Sequence, residues 1–294
     1  MLGVVNLDKP VGPTSHDMVD LLRRLSGIRR IGHAGTLDPL ASGVLPILIG
    51  AATRFSADLT GSPKRYDAVI RLGWRSATDD GQGPIVPGGP LPTLEQVGAA
   101  LDSFVGTFDQ RPPAFSARKA GGRTAHREAR AGSPLDLPAR QVSVERIAPL
   151  ETTRGDDHLD LRIDLICGPG TYVRSIARDL GDLLGCGGYL AALRRTEAAG
   201  LRVADAHDPE ELEALAAAGR IADALVPVTD LLSLPRLQLS HDQAARFVHG
   251  SAVTLQGSPD GRAAVLADQR LLGIGKLKAG ILHPQKVVAA EGGD

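Results

Sequence analysis

Apolar residues in this chain come in short runs cut by charges, glycine and proline. No run approaches the roughly 20 consecutive apolar residues that a membrane-spanning helix needs, so a water-exposed globular fold built from short elements is expected. Several runs alternate apolar and polar residues. KRYDAVIRLG (64–73), VSVERIAPLE (142–151) and HLDLRIDLICG (158–168) carry the period of two that suits strands with one buried face. Gly3 to Leu7 reads as a short strand entering a turn fixed by Pro10, Gly12 and Pro13, and the continuous run GVLPILIG (43–50) suits a buried strand.

Helical spacing lies between these runs. Thr14 or Ser15 caps a segment with Met18, Val19, Leu21, Leu22 and Leu25 in phase, ending near Gly27. Thr93 opens a second, with Leu94, Val97, Leu101 and Phe104 on one face. A third follows Thr171, with Val173, Ile176, Leu180 and Leu183 in phase and Gly185 closing it; a Leu/Ala/Glu-rich stretch over 208–225 reads as a fourth. Residues 75–92, rich in Gly and Pro, read as an exposed and mobile loop. Residues 108–140 are basic and poor in large apolar residues, which suits a substrate-facing insertion better than a core element. Past Pro227 the texture shifts to short strand-like pieces, AVTLQG, AAVLAD, LLGIGKL and HPQKVV, a small β-rich unit.

At 294 residues, 43% of them hydrophobic, the chain can bury a full core and divide into more than one domain. The N-terminus has no basic leader, extended apolar region or small-residue cleavage site, so secretion is not expected and a cytoplasmic location is. Cys167 and Cys186 are the only cysteines and read as core thiols in a reducing compartment. The His and Cys spacings suggest no metal site, and no Gly-rich phosphate loop of P-loop or dinucleotide type appears. The formal net charge of -1 argues mildly against a nucleic-acid partner. Local charge does not: residues 111–130 hold Arg111, Arg118, Lys119, Arg123, Arg127 and Arg130 against Glu128 alone, and the acidic stretch 205–230 cancels the sum.

The densest stretch is RRIGHAGTLDPLASGVLPILIGAATR (29–54), where Gly32, Ala34, Gly35, Ala41, Ser42 and Gly43 surround one His and one Asp. Small residues let the backbone approach a ligand closely and place Asp38 just before a proline and an apolar strand. Alone, an Asp-Pro pair reads more readily as a turn in which Asp38 caps the following segment.

The ordered string changes that. DKPVGPTSHD followed by GHAGTLDPLASGVLPILIGAATR closely resembles the bacterial tRNA pseudouridine-55 synthases, the TruB-type family. The likeness runs on through KRYDAVIRLG, RPPAFSARKAGGR, CGPGTYVRSIARDLGDLLG and LRRT (193–196), covering roughly residues 3–200 closely and the tail more loosely. It implies an α+β catalytic domain over 1–230 on a mixed, mostly antiparallel sheet, with an RNA-gripping insertion at about 108–140. It also implies a PUA-like RNA-binding domain over 231–294. The activity implied is isomerisation of uridine-55 in the T loop of tRNA, without cofactor, by a monomer that grips the T stem-loop and, through the tail, the acceptor arm.

Residue by residue, the resemblance makes Asp38 of GTLDP the catalytic carboxylate and Arg174 of GTYVRS its partner, which would orient it. Such chemistry on a stacked base requires extruding it. The resemblance implies that His33 supports the flipped RNA, Tyr66 stacks on the uracil, and Tyr172 and Leu193 line the pocket. Lys9 would support the active-site strand and turn, and Arg111, Lys119 and Arg123 would contact phosphates. The chain departs from the family pattern at His126, where many relatives carry Tyr, and in the loop WRSATDDGQG; neither departure is expected to touch Asp38, so both bear on RNA contacts more than on catalysis. A non-catalytic RNA-binding or RNA-folding protein is one alternative. A small-molecule hydrolase using Asp38 is another, though it leaves the basic insertion unexplained.

Overall fold

The computed structural model describes residues 1–288, apart from 117, 121, 134, 256 and 258 and the side chains of 119, 120, 126 and 130. Among the described residues, ten strands form one sheet. Its main path runs Leu225–Val226, Gly3–Lys9, Ala41–Ile49, Gly188–Ala198, Lys64–Leu72, Leu159–Cys167, Arg140–Arg154, Gly106–Gln110. All neighbours on that path are antiparallel except one pair. Ala41–Ile49 runs parallel to Gly188–Ala198, with Leu193, Arg194 and Arg195 opposite Ala41, Ser42 and Gly43. The fold is α+β on a mixed, mostly antiparallel sheet.

The alternation read in KRYDAVIRL is realised over Lys64–Leu72, where every second side chain is buried. The opposite face carries charges that pair across strands: Arg65 with Asp164, Arg71 with Asp160, and Arg162 with Asp67. Cross-strand pairs of opposite charge each contribute roughly 0.2–1 kcal/mol, so these fix register more than they drive folding. Burial drives it: Val5, Leu7, Leu45, Ile47, Ile70, Leu161, Ile163 and Ile176 pack in one core between the sheet and its helices, each worth about 1.5–3 kcal/mol when fully buried.

The helices follow their signals with some corrections. Ser15–Ser26 is capped by Thr14, whose side chain and that of Asp17 bond each other's backbone N–H, and it ends on Gly27 in the left-handed region. Leu94–Asp102 begins on the same kind of box, made by Thr93 and Gln96. Leu94, expected on its apolar face, is 61% exposed, the buried face of the helix being Val97, Ala100 and Leu101, and Phe104 lies beyond the helix end. The stretch read as one helix over 208–225 is two pieces, Pro209–Ala217 and the 3₁₀ turn Ile221–Ala224, separated by Gly219 at φ +70°. The expected insertion is also shortened at its start, since Gly106–Gln110 is the sheet's edge strand.

The loop read as exposed over 75–92 is in part a hairpin, Trp74–Ser76 with Ile85–Pro87. Its turn folds inward and leaves Asp80 only 4% exposed. Beyond Leu232, five strands from Arg236–Gln238 to Ile281–Val287 form a second sheet, covered by a helix, His241–Val248, that alternation did not announce. Ser240 and Gln243 form its capping box. This unit packs on the larger one through Ala264, Leu266, Leu271 and Ile274 against Val4, Leu48, Phe55 and Leu59.

Candidate active site

Asp38 lies on the loop between strands Ile31–His33 and Ala41–Ile49. Three neighbours fix that loop. Ser15, at the start of the first helix, both donates to Leu37 O (2.9 Å) and accepts from Leu37 N (2.8 Å). Gly12 N donates to Pro39 O at 2.8 Å. Arg195, 1% exposed, spreads its guanidinium over three carbonyls: Val44 O (2.7 Å), Gly35 O (2.9 Å) and Thr36 O (3.4 Å). The planar fork matches this job, since one cation satisfies three buried acceptors that the loop cannot pair internally. Gly43 is required at this crossing. Its φ is +100°, and a Cβ there would fall 2.2 Å from Arg195 O.

Arg174 stands in the first turn of helix Val173–Leu183 and is 6% exposed. Its Nη2 is 2.9 Å from Asp38 Oδ2 and donates to Phe115 O at 3.0 Å. Its Nη1 donates to Thr78 O at 3.3 Å and lies 3.6 Å from Asp80 Oδ2. One side chain thus ties together the Asp38 loop, the inward turn of the hairpin and the root of the basic insertion. The loop WRSATDDGQG, expected to bear on RNA contacts more than on catalysis, does not touch Asp38 itself but reaches its partner Arg174 through Thr78 and Asp80. Asp80 is itself held by Thr78 Oγ1 (2.5 Å) and by the backbone N of Gln82 (3.0 Å).

A cavity of about 570 Å³ opens beside this ion pair. Asp38, Tyr66, Tyr172, Arg174 and Leu193 all line it, together with Lys64, Arg195, Thr60, Phe115 and Ser116. Tyr66 is buried, and desolvation raises its phenol pKa, with Arg195 working against that shift. The backbone of Tyr172 is clamped by Gln110, which donates to Tyr172 O and accepts from Tyr172 N. A smaller cavity of about 250 Å³ lies against the same ion pair, lined by Asp38, Thr78, Asp80, Gln82 and Arg174 among others.

The other residues singled out from the sequence sit elsewhere. His33 is half-buried at the end of its strand and does not line the cavity; its Nδ1 has no hydrogen-bond partner among the described residues. Burial, then the charge of Arg195, lowers its pKa. Lys9 is fully buried and donates to Pro10 O (2.8 Å) and Pro13 O (2.7 Å), bracing the turn. Burial brings it down to about 8 against the opposing pull of Asp38. Arg111 and Arg123 are exposed but ion-paired, to Asp136 and Glu128, both at 3.2 Å. The backbone carbonyl of Arg111 accepts from Ser175 Oγ and Arg178 Nη2, which roots the insertion on the helix of Arg174. The side chains of Lys119 and His126 lie outside the described residues. Among the described residues no cluster of His, Cys, Asp and Glu suits a metal ion, and no helix is long and apolar enough to cross a membrane.

Sequence reasoning did not single out Arg195, Lys64 or Asp80. The alternation of a strand was the available signal for two of them: Arg195 is two residues from Leu193 and Lys64 two from Tyr66, so each shares the inward face.

Comparison with known proteins identifies the family. The family model described as TruB family pseudouridylate synthase (N terminal domain) matches residues 23–173. The tRNA pseudouridylate synthase B C-terminal domain matches 174–233, and the C-terminal model of pseudouridine synthase II TruB matches 235–288. The chain is 40% identical to the tRNA pseudouridine synthase B of Ralstonia nicotianae over 97% of its own length and 94% of that protein. It is 42% identical to the protein of the same name from Acaryochloris marina, over 99% of this chain and 100% of that one. Among solved structures, it superposes on a chain of a Cbf5-Nop10-Gar1 complex with a TM-score of 0.74 and 26% identity, covering 97% of this chain and 84% of that one. With the folded tail standing where the PUA-like domain was expected, the chain belongs to the TruB family of pseudouridylate synthases.

Proposed function

We propose that this protein isomerises the uridine at position 55 of the tRNA T loop to pseudouridine, with Asp38 as the reacting carboxylate. The observation that carries the reading is the 2.9 Å pairing of Asp38 with Arg174 at a cavity lined by two tyrosines and a leucine. The reaction breaks N1–C1′, turns the base and joins C5 to C1′, with no redox change. One ionised carboxylate can serve by adding to the base, attacking C1′ or deprotonating the ribose, and each route needs it held still. A charge-assisted hydrogen bond from a buried guanidinium does that. Tyr66 offers a π face to the extruded base, and stacking of this kind is worth roughly 1–3 kcal/mol. Tyr172 and Leu193 complete the pocket, while Lys9 braces the turn beneath it.

His33 stands outside the pocket, at the end of the strand that leads into the Asp38 loop, and supports the flipped RNA from there. The insertion bearing Arg111, Lys119 and Arg123 grips the T stem-loop through phosphates, and the second sheet meets the acceptor arm; RNA would displace the carboxylates now paired with Arg111 and Arg123. The enzyme works as a monomer in the cytoplasm and needs no cofactor. Tritium release from tRNA carrying [5-³H]uridine, with the product position mapped, tests this. Wild type should release tritium from the T-loop position alone, and Asp38→Asn should release none while still binding tRNA. Binding without release by the wild type would leave an RNA-folding protein on the same scaffold.

A further inference from the structure

Lys64 is a cavity-lining residue with an ionisable side chain to which the reading above gives no role. Strand Lys64–Leu72 sends alternate side chains inward, so Lys64 and Tyr66 share a face, about 6.8 Å apart along the strand. Lys64 is 8% exposed, and its Nζ donates to Thr60 O (2.8 Å) and Ser62 O (2.9 Å), its two acceptors among the described residues. Two acceptors use both N–H groups of a neutral amine and leave its lone pair free; in the ammonium form a third N–H goes unpaired. A Cβ built at Gly35 would sit 3.5 Å from Lys64 Cε, an ordinary contact distance, so the Asp38 loop passes directly beside the lysine stem. Burying an amine costs free energy that an apolar side chain of similar length would not.

The inference rests on the cavity being the site of uridine isomerisation. That reaction moves one proton. When C5 has bonded to C1′, C5 is tetrahedral and carries both C1′ and H5, with a double bond between C6 and N1. Loss of H5 leaves its electron pair as the C5–C6 double bond. The C6–N1 π pair then moves to N1, which takes up a proton. Atoms and charge balance with no oxidant or second reactant, but a base must face the uracil ring.

We propose that Lys64 is a further catalytic residue, whose amine removes H5 from C5 and whose resulting ammonium returns a proton to N1. Burial lowers the Lys64 pKa to about 8, with Arg195 acting in the same direction and the Cys167 thiol opposing, so the amine is accessible near neutral pH, where a general base is most effective.

The test uses the whole protein and tRNA deuterated at C5 of the target uridine, under single turnover. Lys64→Arg keeps length and charge but supplies no base; Lys64→Ala opens a slot for added methylamine. Both variants should bind tRNA as the wild type does and lose about 10²-fold or more in rate, the range a positioned general base supplies. Both should show a larger 5-deuterium isotope effect than the wild type, and methylamine should restore Lys64→Ala. If Lys64→Ala does not fold, Lys64→Arg decides through rate and isotope effect alone. Wild-type turnover by Lys64→Arg, or a slow variant with neither an enlarged isotope effect nor amine rescue, would overturn the assignment and leave Lys64 as a brace for residues 60–62. A wild type that binds tRNA but makes no pseudouridine would instead remove the parent reading.

Discussion

At the scale of single residues, the site is built by arginines serving as connectors. Arg195 is the more revealing one, because three backbone carbonyls, those of Val44, Gly35 and Thr36, accept from its guanidinium, which also bonds the Tyr66 side chain. Replacing it with lysine keeps the charge but loses the fork, leaving at least two buried carbonyls without a donor at about 1–3 kcal/mol each. Arg195→Lys is therefore expected to lower stability to urea by about 3 kcal/mol and, by letting the Asp38 loop shift, to slow tritium release by about 10²-fold. Wild-type release at reduced stability would mean that the loop keeps its shape without the guanidinium. Asp38, Tyr66 and Arg174 were legible because each stands in a long ordered string. Arg195 and Lys64 were not, because a charged side chain is read by default as solvated, and only the period of their strands marks them as inward. Asp80 escaped for a different reason: nothing in a Gly- and Pro-rich loop says that its turn will be pulled in by an arginine 94 residues later.

At the scale of elements, one short stretch connects the two sheets to the cavity. Helix Ser56–Thr60 presents Asp58 to the tail, where Arg262 (2.5 Å) and Lys286 (2.6 Å) close on it, and Arg54 bonds Val287 O nearby. On the other side Ser56 Oγ donates to His33 O, and Thr60 lines the cavity. Burial works to raise the Asp58 carboxyl, but the bonds from Lys286 and Arg262 outweigh it and hold its pKa below the ordinary value. Asp58→Asn should then loosen the tail by about 1–3 kcal/mol, the value of charge-assisted bonds at a partly buried site. The measurement is amide hydrogen exchange in strand Ile281–Val287, expected to speed up while strand Ala41–Ile49 stays protected; uniform exchange across both sheets would show that they open together. Elements were legible where start signals were strong, as at Thr14 and Thr93. The tail helix carried the same signal at Ser240 and Gln243, but its eight residues between strands offered too little periodicity to register.

At the scale of the whole molecule, stability depends on pH through groups that folding strips of water. Lys9 and Lys64 both fall from 10.5 to about 8 in the folded protein. Between those values the unfolded chain binds more protons, so stability rises with pH from about 8 upward. Burial raises the Cys167 thiol from 9.0 to about 11, which has the opposite sign above pH 9. Urea midpoints are thus expected to climb between pH 8 and 9 and then level, and Lys9→Met should flatten the climb; a midpoint that falls from pH 8 to 9 would contradict the burial of these amines. The parallel pairing of Ala41–Ile49 with Gly188–Ala198 also governs how the molecule is made. Arg195 grips Val44 across 151 residues of chain, which at about 5–20 residues per second is a wait of about 8–30 s during synthesis. Until the later strand leaves the ribosome the Asp38 loop lacks the guanidinium that frames it, so with Asp38 reacting as proposed a chain cut short before Arg195 is expected to stay silent toward any RNA it meets.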